Sequence, residues 1–123
     1  MQHTFVSIGA FLAFISIAAG AFGAHLLKGK LSPESQDVFE VAVRYQMYHA
    51  LALLLVAILF GSLPSLTLTI VGWLFISGVV IFSGSLYALV FSGVKTWGAV
   101  TPIGGVLLLL GWLTLLLGSF FTK

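Results

Sequence analysis

Four long apolar segments constrain this chain more than any other feature of its sequence. A helix needs about 20 mostly apolar residues to cross roughly 30 Å of hydrocarbon, and three of the segments reach that length by themselves. Only 7% of the 123 residues are charged, whereas a soluble domain usually carries about 25%. Five Lys/Arg and three Asp/Glu cannot cover a water-facing surface. The composition therefore excludes a soluble globular domain, a disordered chain and a nucleic-acid-binding protein.

The sequence predicts an all-α integral membrane protein, a single domain over 1–123 built as a bundle of four transmembrane helices. The expected spans cover about 5–27, 46–60, 66–91 and 102–121. The first span is expected to be retained, because no Lys or Arg precedes it and its apolar run is longer than the core of a signal peptide. In the fourth span, Thr101 is the predicted cap and Pro102 the first helical residue.

The second span differs from the others because its first half is polar. Ser32-Pro33-Glu34 combines a hydroxyl cap, a proline in the first turn and an acid near the positive end of the helix dipole, which predicts a helix from residue 33. The uninterrupted apolar run from residue 47 to residue 60 rises only about 21 Å. We therefore expect an amphipathic N-terminal extension of helix 2, from residue 33 to Arg44, along or above the inner membrane surface.

The basic residues predict the orientation of the bundle. With four spans, both termini lie on one side together with the turn at 61–65, and the basic residue on that side is Lys123. The opposite side carries Lys28, Lys30, Arg44 and Lys95. The positive-inside rule therefore predicts a multi-pass protein with its two longer loops in the cytoplasm and both termini outside.

Polar side chains are concentrated toward the cytoplasmic end of the predicted spans. The candidate binding cluster comprises His25, Arg44, Tyr45, Gln46, Tyr48, His49, Ser83, Ser85, Tyr87 and Thr101. A continuous ion pore has polar lining on both sides of its midplane, so this distribution argues against a channel and favours a shallow pocket that opens inward. A plain alternative is that the histidines hydrogen-bond to neighbouring helices and that the tyrosines belong to an interfacial aromatic belt.

The two histidines give the sharpest geometric expectation. His25 and His49 are predicted to face the bundle interior at similar depth, with Tyr45 one turn from His49 on the same face and span one as their neighbour. Two histidines on separate helices could ligate a haem iron or a metal ion. A histidine pair without carboxylate or thiol support is a weak signature, so no metal or cofactor is expected.

Small residues recur on several predicted helix faces, where they allow close backbone approach in lipid. Span one repeats Ser16, Gly20 and Ala24, and span four repeats Gly104, Gly111 and Gly118. Two interpretations stay open. These faces could pack within one four-helix bundle, or they could form the seam of a homo-oligomer.

The sequence carries none of the common catalytic constellations, such as a nucleophile elbow or a His-Glu-x-x-His motif. An enzyme is therefore the least supported class of function. The leading hypothesis is a non-enzymatic membrane protein that binds a partner protein or a membrane lipid through its cytoplasm-side polar cluster, with Lys28 and Lys30 favouring anionic headgroups. The alternative is a small transporter or channel, and no nucleic-acid partner is expected.

Four motifs in this order resemble the YgdD-like (YwdK-like) family of small membrane proteins, which has a mitochondrial branch in animals. The motifs are Gly20–His25, Tyr45–Ala52, Phe82–Tyr87 and Thr101–Gly105. The resemblance covers nearly the whole chain and implies a four-helix protein of the bacterial inner membrane, the plasma membrane. It implies no activity, because the family is known as a domain of unknown function.

Overall fold

Four long helices make up the computed structural model, which describes residues 1–122. They are α1 (Gln2–Leu26), α2 (Pro33–Ile58), α3 (Ser65–Ser92) and α4 (Trp97–Phe120). Each helix is long and apolar enough to cross a membrane, and residues 1–122 contain no β-strand. The predicted all-α membrane fold is therefore confirmed. The predicted outside position of Lys123 falls on a residue outside the described part of the chain.

Consecutive helices are neighbours in space, so α2 and α3 lie between α1 and α4. The end of the bundle that carries Lys28, Lys30 and Lys95 is called the lysine end below, and the other end is called the termini end. The apolar core lies toward the termini end, where the ring of Phe5 is fully buried against Gly72. That core is formed mainly by Phe5, Leu53, Val56, Leu68, Val71 and Phe75.

The start of α2 follows the predicted pattern. The Ser32 hydroxyl accepts a hydrogen bond from the backbone N–H of Ser35 (3.1 Å), and Pro33 lies in the first turn. The expected N-terminal extension is continuous with the rest of α2 and lies beside α1, because Phe39 is 5% exposed and packs on Gly23 of α1. The apolar side of this segment fills a gap that a glycine leaves in α1, so α2 runs beside α1 from its first turns.

The start of α4 differs from the prediction. The helix begins at Trp97, so Pro102 lies inside the helix and Thr101 does not cap it. A helix that begins at Trp97 satisfies more backbone groups by hydrogen bonds within the helix. In lipid this gain outweighs the preference of proline for the first turn. The Thr101 hydroxyl lies beside Ser85 of α3 instead.

The glycine stripe of α4 faces α3. A Cβ atom at Gly104 would meet the backbone of Phe82 and would stand 2.8 Å from the carbonyl oxygen of Gly78. A Cβ at Gly111 would stand 2.7 Å from the ring of Phe75. Of the two open interpretations for this stripe, packing within one bundle is therefore the one that the structure shows.

Candidate functional site

The ten candidate polar residues do not form one cluster. They divide into three separate hydrogen-bonded contacts between helices and several side chains that point outward. The contacts between helices involve Gln46, His49, Ser83, Ser85, Tyr87 and Thr101. The outward group comprises His25, Arg44, Tyr45 and Tyr48.

The first contact is centred on Gln46, which is 4% exposed and joins three helices. Its Nε2 donates to the carbonyl oxygen of Leu12 in α1 (2.9 Å), and its Oε1 accepts from the Tyr87 hydroxyl in α3 (2.7 Å). One turn away, the Ser83 hydroxyl donates to the carbonyl oxygen of Ala42 (2.7 Å). These bonds hold α1 and α3 to α2, because a polar group without a partner is costly in an apolar medium.

The second contact joins α2 to α4 through His49, which is 5% exposed. The indole Nε1 of Trp112 donates to His49 Nε2 (3.1 Å). With Nε2 as the acceptor, the neutral ring carries its hydrogen on Nδ1 and donates to the carbonyl oxygen of Tyr45 (2.7 Å). The ring of Tyr45 lies parallel to that of His49 with centroids 6.4 Å apart, on the same side as the spacing predicts. The expected neighbour was span one, whereas the observed partner is Trp112 of α4.

The third contact joins α3 to α4. The hydroxyl oxygens of Ser85 and Thr101 lie 2.6 Å apart, so one hydroxyl donates to the other. Ser85 is 4% exposed. The pair lies close to the lysine end, where it ties the first turns of α4 to α3.

The predicted shared pocket of His25 and His49 is wrong. His25 is exposed near the end of α1. Gly23 lies against Phe39, so His25 is level with about residue 37 of the antiparallel α2. That level lies about twelve residues, or roughly 18 Å of rise, from His49. The two rings cannot ligate one iron or metal ion, and residues 1–122 contain no group of three or more His, Cys, Asp or Glu placed to hold a metal.

The depth of these contacts follows from the length of α2 once one end of the hydrocarbon core is set at Ile58. A hydrocarbon core of roughly 30 Å spans about 20 helical residues, so a core that begins at Ile58 reaches Val38. Gln46 then lies roughly 12 Å inside the lysine-end boundary and His49 roughly 16 Å inside, near mid-membrane. The predicted single shallow pocket does not form, because these side chains are divided among separate contacts between helices.

An apolar groove runs between α1 and α3 over the face of α2. Its part near the lysine end is a cavity of about 390 Å³ that opens between Leu26 and Phe91. Its deeper part is a cavity of about 220 Å³ with Gln46 and Ser83 in its lining. Ile15 and Tyr87 line both parts, so the two are adjacent. This surface is called the α1–α3 groove below.

Two hydrogen-bond partners of these polar residues were not predicted from the sequence. The carbonyl of Leu12 carries no side-chain signal, so its bond to Gln46 is invisible in the sequence. Trp112 does carry a signal, because tryptophan usually lies at the membrane interface and this one lies deep in an apolar span. An indole N–H at that depth needs an acceptor, and His49 supplies one.

Comparison with known proteins shows which family this chain belongs to. A family model described as a protein of unknown function, DUF423, matches residues 19–105, which contain all four motifs named above. The chain belongs to the DUF423 family. A UPF0382 membrane protein of Staphylococcus saprophyticus is 48% identical over 119 residues, which cover 97% of this chain and 98% of the relative.

A further relative, from a bovine strain of Staphylococcus aureus, is also named a UPF0382 membrane protein. It is 46% identical over 116 residues, or 94% of each chain. No solved structure matches this DUF423 chain. The resemblance to a family of small membrane proteins of unknown function is confirmed. A function for this DUF423 protein has to be argued from its own surface.

Proposed function

We propose that this DUF423 protein is a non-enzymatic membrane protein that binds an anionic membrane lipid. One acyl chain lies in the α1–α3 groove, and the headgroup lies at the lysine end beside Lys28 and Lys30. The observation that carries the proposal is the groove itself. It opens laterally between α1 and α3, and residues of α2 form its bottom.

The length and lining of the groove suit an acyl chain. Along α3 the groove extends from Phe91 to Val79, a rise of roughly 18 Å. One leaflet offers about 15 Å of hydrocarbon, half of the bilayer core. The lining is apolar at the lysine end, and Gln46 and Ser83 join it only in the deeper part. A single tail therefore fills this opening from the lysine end inward.

The charge at the mouth of the groove favours an anionic headgroup. Leu27 lines the mouth, and the exposed Lys28 and Lys30 follow it within three residues. A basic residue beside a membrane surface attracts anionic lipid by about 1 kcal/mol. The positive-inside rule puts these lysines in the cytoplasm, so the proposed lipid belongs to the inner leaflet of the plasma membrane, the bacterial inner membrane.

The hydrogen bonds within the bundle support the non-enzymatic part of the proposal. Gln46, Tyr87 and Ser83 direct their polar atoms to another helix. A catalytic acid or base has to reach its substrate within hydrogen-bond distance, and a transport path needs polar groups that line it. These side chains instead hold the floor of the groove in place.

The test measures lipid retained by the purified protein. The protein is reconstituted in vesicles of equal phosphatidylglycerol and phosphatidylcholine, extracted in mild detergent and weighed by native mass spectrometry. We expect one retained phosphatidylglycerol. A Cβ at Gly84 meets nothing within 4 Å and the residue lines the groove, so Gly84→Leu should fill the groove and remove the lipid. The matched control is Gly105→Leu, whose Cβ stands 3.8 Å from Phe82 outside the groove.

Three results would contradict the proposed binding of an anionic lipid in the groove. These are no retained lipid in several detergents, equal retention of both lipids, and undiminished retention by Gly84→Leu. Replacing Lys28 and Lys30 with Gln should reduce the preference for phosphatidylglycerol while the control variant keeps it. Saturable solute uptake or reproducible conductance in the same vesicles would support the alternative, a transporter or channel. A co-purified second protein in place of lipid would support a partner-binding role.

A further inference from the structure

A charged pair lies on the face of α2 that points away from the bundle. Glu40 Oε2 and Arg44 Nη2 are 3.3 Å apart, and the two side chains are 54% and 61% exposed. If one end of the hydrocarbon core is set at Ile58, Glu40 lies roughly 3 Å and Arg44 roughly 9 Å inside the lysine-end boundary. Charged side chains at this depth are costly and usually face a partner or a water-filled cavity.

A hollow in the surface adjoins this pair. Its volume is about 140 Å³, and it forms where Gly20 and Ala24 of α1 offer almost no side chain. On the α2 side, Gln36, Glu40 and Arg44 line the same hollow. The hollow therefore presents one acid, one base and one amide to whatever occupies it, next to a gap that admits a side chain.

We infer that a second copy of this chain packs against this face and forms a two-fold symmetric dimer through α1 and α2. Two copies in one membrane place their α2 helices parallel with like residues at the same level, so the long side chain of Arg44 in each copy reaches Glu40 of the other across a rise of about 6 Å. A face with one acid and one base a turn apart is self-complementary, as a two-fold interface requires. An anionic headgroup would instead meet the carboxylate of Glu40, which disfavours a lipid in this hollow.

The same face continues as an apolar surface toward the termini end. Leu51, Leu55 and Ile58 of α2 are 50%, 55% and 72% exposed, and Ile17 of α1 is 62% exposed. These side chains extend the dimer contact by close packing, which is what associates helices in lipid. The face lies on the other side of the α1–α2 contact from the α1–α3 groove, so the dimer does not depend on lipid binding.

The test mixes two charge variants, each of which is expected to form no stable dimer with copies of its own kind. Glu40→Arg leaves two cations on the face, and Arg44→Glu leaves two anions. Both variants lose the pair within one chain, so only contact between chains distinguishes the variants alone from their mixture. Energy transfer between labelled copies in vesicles should show dimers for the unchanged protein, about a tenfold weaker association for each variant alone, and recovery in the mixture.

A second pair of variants covers the possibility that the charge changes prevent folding. Ala24→Trp fills the hollow, whereas the exposed Ala21 of the same helix does not line it. We expect Ala24→Trp to remove dimers while its unfolding curve matches that of Ala21→Trp, which should still form dimers. A monomeric unchanged protein in vesicles, dimers that survive either charge variant alone, or a mixture without dimers would each overturn the inference.

Discussion

The hydroxyl of Tyr87 is bonded to a buried glutamine, whereas the hydroxyl of Tyr48 belongs to a side chain that is 55% exposed. We expect Tyr87→Phe to lower the free energy of unfolding by about 1 kcal/mol, because Gln46 Oε1 loses its donor in an apolar surrounding. Tyr48→Phe removes the same atom and should change stability by less than about 0.5 kcal/mol. Denaturant unfolding in detergent, followed by tryptophan fluorescence, compares the two. Equal losses would show that the bond to Gln46 contributes nothing.

The two histidines provide a second matched comparison between single residues. His49→Phe removes the acceptor of the Trp112 indole and the bond to the Tyr45 carbonyl. We expect a loss of about 1–2 kcal/mol in unfolding free energy, because the indole N–H is left without a partner in an apolar surrounding. His25→Phe changes an exposed side chain and should stay within about 0.5 kcal/mol of the unchanged protein. A larger loss for His25→Phe would contradict the placement of this residue outside the bundle.

At the scale of the helices, the approach of α4 to α3 depends on Gly104. Its Cβ would meet the backbone of Phe82, which cannot move aside as a flexible side chain can. We expect Gly104→Ala to lower the unfolding free energy by about 1–3 kcal/mol, the usual cost of overpacking. Gly105→Ala adds the same methyl group where the nearest atom is 3.8 Å away. This control should be neutral or slightly stabilising, since alanine favours a helix. Similar effects at the two positions would show that α3 and α4 pack less closely here.

At the scale of the whole molecule, the orientation in the membrane can be tested with single cysteines, since the chain has none of its own. Ser62 lies in the exposed turn at the termini end, and Val94 lies in the exposed loop at the lysine end. We expect a membrane-impermeant thiol reagent to label Ser62→Cys in intact cells and Val94→Cys only after permeabilisation, because the positive-inside rule predicts that the lysine end lies in the cytoplasm. The opposite labelling pattern would reverse the proposed orientation and move the lipid site to the outer leaflet.

The sequence by itself determined the number and type of the elements. A helix in lipid satisfies its backbone within its own segment, so apolar length and the signals at its ends are enough to identify it. The cap of α2 at Ser32 and Pro33 was predicted on this local basis and is confirmed. The four motifs identified the family for the same reason, since they need no knowledge of which helices touch.

Only the tertiary structure decided which residues meet. Helical period indicates which face a residue lies on, but it does not identify the neighbouring helix that receives that face. His49 therefore pairs with Trp112 of α4 rather than with a group in α1, and His25 stays outside. The position of α2 beside α1 depended on a fit between Phe39 and the gap at Gly23. Apolar burial does not draw helices together in lipid, so such gaps and single hydrogen bonds decide the packing, and neither can be read from one segment alone.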